Sequence, residues 1–288
     1  MMKGHEATVT ECSFSNDRRL LASASGDGSV RLWDVDSHQC IATLKDNTFA
    51  VMGCKFSPDD TLVASTSWDK TVRLWDVKSH RCIVILYGHM KNVNGCAFST
   101  EGAVLASVSG DKTVCLWNTK TFMNMATLQG HTSAVHGCDI SRDGILASTS
   151  WDKTVRLWDV NTQQCITVLN GPTDWCNKCC YTADGTLLAS TFDDKTVRLW
   201  DMRTRQSIAA LTDSTSSTHQ CSFSNDGAWI AAGCGYRNVA RVWDVKTLRC
   251  IATLEREQHI YACSFSANGL LATSDGDRGK EQTVHLWQ

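Results

Sequence analysis

The sequence is poor in proline, with 2 in 288 residues, and it has no apolar run reaching the roughly 18 residues a membrane helix requires. It also lacks an excess of either charge. Lys and Arg number 28 against 30 Asp and Glu, a net charge of −2, whereas a protein built to hold phosphate backbones needs a clear cationic surplus. No Asn-x-Ser/Thr sequon occurs, and the opening Met1-Met2-Lys3-Gly4-His5-Glu6 has no apolar core of a signal peptide, so nothing points to secretion. There is no Gly-rich phosphate loop with a following Lys-Ser/Thr, and no strand-Gly-x-Gly-x-x-Gly-helix unit. No stretch repeats its apolar residues at a convincing 3.6-residue period, which argues against amphipathic helices. What is present is 42% hydrophobic residues, enough to bury a sizeable core, so global disorder is excluded.

Tryptophan supplies the organisation. Trp33, Trp75, Trp117, Trp158, Trp200, Trp243 and Trp287 are separated by 42, 42, 41, 42, 43 and 44 residues. Such a period decides the architecture: one domain over 1–288, built of seven units at about 4–45, 46–87, 88–129, 130–170, 171–212, 213–255 and 256–288. Within a unit, short stretches of period two are broken by turn residues. In the fourth, Ala134 to Ser141, Ile145 to Thr149, Thr154 to Asp159 and Cys165 to Leu169 read as strands. Asp143-Gly144 forms a hairpin turn between the first two, repeated at Asp184-Gly185, Asp226-Gly227 and Asn268-Gly269. Four antiparallel strands repeated seven times pack naturally as an all-β, seven-bladed propeller, whose ring leaves only short protected edges.

Gly4-His5, Gly88-His89 and Gly130-His131 open units that close on Leu32-Trp33-Asp34, Leu116-Trp117-Asn118 and Leu157-Trp158-Asp159. This pattern resembles the WD-repeat propeller family over nearly the whole chain. The resemblance implies a rigid scaffold for protein or peptide partners, a subunit of a larger complex, with no chemistry, cofactor, metal or small-molecule substrate of its own.

Units one, three and four each carry His, Ser, Asp and Trp in one order: His5, Ser23, Asp27, Trp33; His89, Ser107, Asp111, Trp117; His131, Ser148, Asp152, Trp158. These residue types invite a hydrolase reading, but a catalytic triad is made once per active site and this set recurs in phase with the fold. In the family the matching residues form a hydrogen-bonded chain from Asp through His and Ser to the indole, which ties one blade together. Elsewhere the His position holds Asn47, Pro172, Ser214 or Glu257, and unit six has Ala232 and Arg237 for Ser and Asp, so those blades are expected to lose a buried network.

The cysteines follow the same phase. Cys12, Cys54, Cys96, Cys138, Cys179, Cys221 and Cys263 share one position in the first strand, and Cys40, Cys82, Cys165 and Cys250 another in the fourth, so eleven of fifteen are read as core positions. Equivalent positions in neighbouring blades are expected to be too far apart to bridge. Cys176-Asn177-Lys178-Cys179-Cys180 begins a zinc-like spacing without a second pair, and Asp275-Gly276-Asp277-Arg278-Gly279 loosely resembles a calcium loop without its remaining ligands. So many thiols imply a reducing compartment, cytoplasmic or nuclear.

By resemblance to the family, partners meet the face around the mouth of the central channel. Positions four and two residues before the first-strand Cys, and the residue before the turn Asp, project there. They include Met52, Trp68, Asn92, Asn94, His136, Trp151, Trp175, Asn177, Asp193, His219, Tyr236, His259 and Tyr261. Exposed Trp and Tyr beside polar neighbours have the composition of an interaction hot spot. The histidines are expected far apart, as rim residues. Two other classes stay open: a propeller hydrolase or lyase, which needs polar groups converging in the channel, and single-stranded nucleic-acid binding by aromatic stacking, against which the Lys and Arg residues are spread with no basic block. Finally, unit seven stops before its fourth strand and only Met1-Met2-Lys3 can contribute one. An incomplete last blade is therefore expected, the chain being a piece of something longer.

Overall fold

A computed structural model describes residues 1–171, 173–212, 217–234, 238–276 and 282–287. Among them, 28 strands and no helix form seven four-stranded antiparallel sheets. The innermost strands touch in succession, and that of blade seven, Ile260–Phe265, packs on that of blade one, Val9–Phe14, so the sheets close into a seven-bladed propeller. Blade four shows the local logic: Val135–Ile140, Ile145–Ser150, Val155–Asp159 and Cys165–Leu169 pair in order from the axis outward. Its first turn places Gly144 at φ 76°, and Gly185, Gly227 and Gly269 take φ of 74°, 69° and 86°, values at which a Cβ is strained.

The core lies between blades rather than in one centre. Ala22, Val30 and Leu32 of blade one pack against Phe56, Val63 and Trp75 of blade two, and the same exchange recurs around the ring. Each blade therefore relies on its neighbours for burial, as stacked repeats do.

Blade seven is complete, contrary to the sequence-based expectation. Met2–His5 adds a fourth strand to Gln282–Trp287, with Met2 opposite Val284 and Lys3 opposite Thr283. In the other blades this place is held by a leucine facing the equivalent third-strand residue, as in Leu128 opposite Val114. Met2, 1% exposed among Val9, Leu21, Trp33 and Val284, fills the leucine's role, so four residues suffice to close the ring.

The cysteines divide differently from their sequence phase. The seven first-strand thiols are buried, but Cys40 and Cys165 are exposed and Cys82 and Cys250 half-buried, because the fourth strand is the outermost. Cys176, which opens the first strand of blade five where Val, Thr or Ile opens the others, is buried in the core between blades four and five.

Candidate protein-interaction face

Three layers lead from the blade interior to the surface. The innermost is the hydrogen-bonded chain. In blade one, His5 Nδ1 lies 2.8 Å from Asp27, its Nε2 2.7 Å from Ser23 Oγ, and Trp33 Nε1 donates to the same hydroxyl at 2.8 Å. Blades three and four repeat it. His89 lies 3.0 Å from Asp111 and 2.9 Å from Ser107, and His131 2.8 Å from both Asp152 and Ser148; the indoles of Trp117 and Trp158 each donate to their serine at 2.8 Å. Burial opposes the charges, yet the histidine partners hold Asp27, Asp111 and Asp152 well below the usual carboxylate range. For His89, burial lowers the pKa, but the Asp111 and Cys115 contacts outweigh it and bring it to about 9.

Blades with other residues do not simply lose this layer. In blade two, Arg73 reaches across to Asn47 Oδ1 at 2.7 Å and Asp69 at 2.6 Å, while Trp75 still donates to Ser65 at 2.8 Å. In blade seven, Trp287 donates to Thr273 at 2.8 Å, and His285, from the third strand, stands 3.2 Å from Asp275 and 2.7 Å from Arg256. Asp275, first residue of the calcium-like stretch, is thus tied to this cluster; Asp277 to Gly279 lie outside the described residues, as do Pro172, Ser214, Tyr236 and Arg237.

The second layer plugs the axis. Each first strand is irregular just before its core residue, between Val9 and Glu11, Val51 and Gly53, Val93 and Gly95, Val135 and Gly137, Cys176 and Cys179, Thr218 and Gln220, and Ile260 and Ala262. Such an irregularity re-aims a side chain. Glu11, 2% exposed, meets Lys178 from blade five at 3.2 Å, Lys55 from blade two at 3.2 Å and Gln220 from blade six at 3.3 Å. Glycines opposite make room: a Cβ on Gly53 would stand 2.7 Å from the Glu11 carboxylate, and one on Gly95 3.1 Å from Lys178 Nζ. Burial penalises the Glu11 charge, but Lys178 and Lys55 keep its pKa below the usual value. Sequence reading missed this plug, although its signal was available: the residue before each first-strand Cys is Glu11, Gly53, Gly95, Gly137, Lys178, Gln220 or Ala262, three successive glycines leaving room for three polar side chains.

The outer layer is the rim. His136, Trp151 and Trp175 stack across blades four and five, with ring centroids 4.1 Å and 4.5 Å apart and planes within 14° and 17°. Burial, then the charges of Lys178 and His219, push the His136 pKa down to about 4, so a neutral imidazole lies on the indole. Trp151 is half-buried inside this stack, whereas Trp175 is 44% and Trp68 52% exposed. Trp229, off the ladder, opens a second strand elsewhere at 41%.

Not every expected rim residue offers a free contact. Asn94 is buried, accepting from Asn92 at 2.6 Å and donating to Val135 O at 2.8 Å; Asn177 donates to Asp193 at 2.8 Å and to Thr218 O at 2.9 Å. These amides stitch adjacent blades. Nor are the histidines all far apart. His136 and His219 border one cavity at the channel mouth with Met52 and Tyr261, and the Tyr261 ring lies 6.0 Å from His219 and 6.2 Å from His259. Among the described residues no group of three His, Cys, Asp or Glu could hold a metal ion.

The lysines, scattered in sequence, gather on this face. Lys70, Lys112, Lys153 and Lys195 all occupy the turn between the second and third strands, at φ of 72°, 76°, 69° and 70°, and are exposed, as is Lys91; Lys153 Nζ donates to Thr173 O of blade five at 2.8 Å. Blade one has Gly28 at the turn position. Trp68, Trp151 and Trp175 belong to the lysine-bearing blades, two, four and five.

A ring of interlocked four-stranded blades with repeated indole-anchored polar chains defines a repeat propeller. Residues 1–34, 38–76, 80–118, 123–159, 163–201 and 205–244 each match the family described as "WD domain, G-beta repeat", and the chain belongs to that family. Its members are typically protein-interaction scaffolds without chemistry of their own. Similar curated proteins include WD repeat-containing protein 18 of Rattus norvegicus, 52% identical over 44 residues, covering 15% of this chain and 10% of that protein. WD40 repeat-containing protein smu1 of Dictyostelium discoideum is 34% identical over 44 residues, covering 15% and 8%, and CCR4-associated factor 4 homolog of Candida glabrata 54% identical over 37 residues, covering 13% and 6%. The chain thus spans a tenth or less of the length of these relatives.

Proposed function

We propose that this propeller is a non-enzymatic scaffold in a larger, intracellular complex, and that it docks an acidic peptide or partner domain on the aromatic and lysine-bearing half of its channel face. The carrying observation is the coincidence there of exposed Trp68 and Trp175, the stacked Trp151, and five exposed lysines. Rigid indoles present large contact area at little entropic cost, and a cationic surround steers an acidic partner. Fifteen free thiols support a reducing, cytoplasmic or nuclear setting. The polar groups that converge in the channel favour a structural plug over a hydrolase, because the Glu11 carboxylate is already engaged by two lysines and Gln220.

Affinity capture from nuclease-treated lysate tests the proposal. Protein partners retained by wild type and by Trp229→Ala, but lost from the triple variant Trp68→Ala/Trp151→Ala/Trp175→Ala while it keeps its fold, are the expected result. Partners retained by the triple variant contradict it, and capture that disappears on nuclease treatment favours nucleic acid instead.

A further inference from the structure

Beside the plug lies a close pair of thiols, one of them the first-strand core cysteine of blade six. Cys180, in the first strand of blade five, and Cys221, in that of blade six, place their sulfurs 3.4 Å apart. Their phases differ by one residue, so the expectation that equivalent cysteines are too distant does not apply to them. Cys221 is buried and Cys180 half-buried, and both line a cavity of about 190 Å³ with Lys55, Asp139, Lys178, Tyr181 and Cys263. A disulfide requires the sulfurs to approach by about 1.4 Å more.

We propose that Cys180 and Cys221 form an oxidation site at which hydrogen peroxide, or a peroxide of similar size, converts two thiols to a disulfide that locks blade five to blade six. The Cys180 thiolate attacks one peroxide oxygen; the O–O bond breaks, hydroxide leaves and is protonated to water, and Cys180 becomes a sulfenic acid. Cys221 Sγ then attacks the Cys180 sulfur, the S–O bond breaks, and the Cys221 proton departs with the leaving hydroxide as a second water. Two electrons pass from the sulfurs to the peroxide, and the two oxygens leave as water. The division of labour follows from exposure, since Cys180 is the more accessible of the two residues that border the cavity and Cys221 lies within reach of it. The neighbouring Cys180 sulfur and burial hold the Cys221 thiol up, so Cys221 is not the sulfur that peroxide oxidises first. The bridge would close a loop of 41 residues and restrain the unfolded chain as well as the blade interface.

The test is peroxide treatment of the whole chain, followed by intact-mass and peptide mass spectrometry with fragmentation that separates Cys180 from Cys179 and Cys221 from Cys234. In wild type the Cys180 and Cys221 peptides should together lose two hydrogens without keeping oxygen and appear as a cross-linked peptide reversed by dithiothreitol, and the oxidised chain should melt at a higher temperature. In Cys221→Ser, Cys180 should stop at a sulfenic acid that dimedone traps; in Cys180→Ser, Cys221 should remain a thiol. The proposal is overturned if Cys180 and Cys221 both stay reduced at peroxide levels that oxidise the exposed Cys40, or if either pairs with another cysteine.

Discussion

Replacing Asp152 by alanine removes the hub of the blade-four chain. Its carboxylate, with a side chain only 5% exposed, accepts from His131 Nδ1 at 2.8 Å, Thr132 N at 2.9 Å, Thr154 N at 3.0 Å and Thr154 Oγ1 at 2.6 Å. The His131 side chain is 1% exposed and cannot turn to water, so the loss includes one charge-assisted bond to a buried donor and the orphaning of that donor, together about 3 kcal/mol. Asp194 is the built-in control. In blade five Asp194 keeps the equivalent bonds from Thr196 N at 3.1 Å and Thr196 Oγ1 at 2.6 Å, but in place of a buried histidine it meets Thr173 N at 3.4 Å, Thr173 Oγ1 at 3.3 Å and Arg198 at 3.4 Å; with the Asp194 and Arg198 side chains 11% and 18% exposed, these partners can turn to water, and Asp194→Ala should cost less, about 1 kcal/mol. Thermal unfolding followed by tryptophan fluorescence should separate the two by about 4–8 °C, at roughly 2–4 °C per kcal/mol for a chain of this size. Hydrogen exchange should place the added opening in the strands around Ser148 and Trp158. Equal losses in the two variants, or an unchanged melting temperature for Asp152→Ala, would refute the hydrogen-bonded chain as a stabilising unit.

Other outcomes follow from the remaining layers. Met2→Ala leaves a hole in the closing blade and should lower stability by about 2–4 kcal/mol in urea unfolding, whereas Lys3→Ala, whose neighbour Met2 still fills the core, should change it little. Glu11→Ala leaves Lys178 and Lys55 facing each other in the channel and should cost about 3 kcal/mol; adding Lys178→Met should restore part of that loss, and strict additivity of the two changes would show that the ion pair is not coupled. His89 and His136 titrate with opposite signs. The raised pKa of His89 gives a contribution that is complete below about pH 6.5 and is lost as pH climbs toward 9, while the lowered pKa of His136 gives one that is complete above about 6.5 and is lost as pH falls toward 4. His89→Gln should flatten the alkaline side of the stability profile and His136→Phe the acid side; profiles unchanged in shape would disprove the assignment.

The repeat period made the architecture legible, because seven indoles in phase fix seven copies of one blade, and the Asp-Gly turns fix where strands reverse. What a period cannot show is convergence across the ring. Glu11, Lys55, Lys178 and Gln220 are as far as 209 residues apart, and only closure brings them together. Closure was itself misjudged, since Met1-Met2-Lys3 look too short for a strand until Met2 is seen to occupy the leucine position. Position in phase also did not separate inner from outer strands, so Cys40 and Cys165 were read as core although they lie on the outermost strand. At the rim, the sequence points to the indoles, which the fold leaves exposed at Trp68 and Trp175, but it assigns Asn94 to a partner when it bonds the neighbouring blade, and it reads the lysines as dispersed when one turn position gathers them.

Site-specific photocrosslinking tests the docking face most directly. A photoreactive phenylalanine analogue in place of Trp175, activated in nuclease-treated lysate, should cross-link one acidic protein, and the same analogue in place of the comparably exposed Trp229 should not. Cross-links of equal yield and identity at both positions, or none at Trp175 while the captured partner is still bound, would contradict docking on the aromatic half of the channel face.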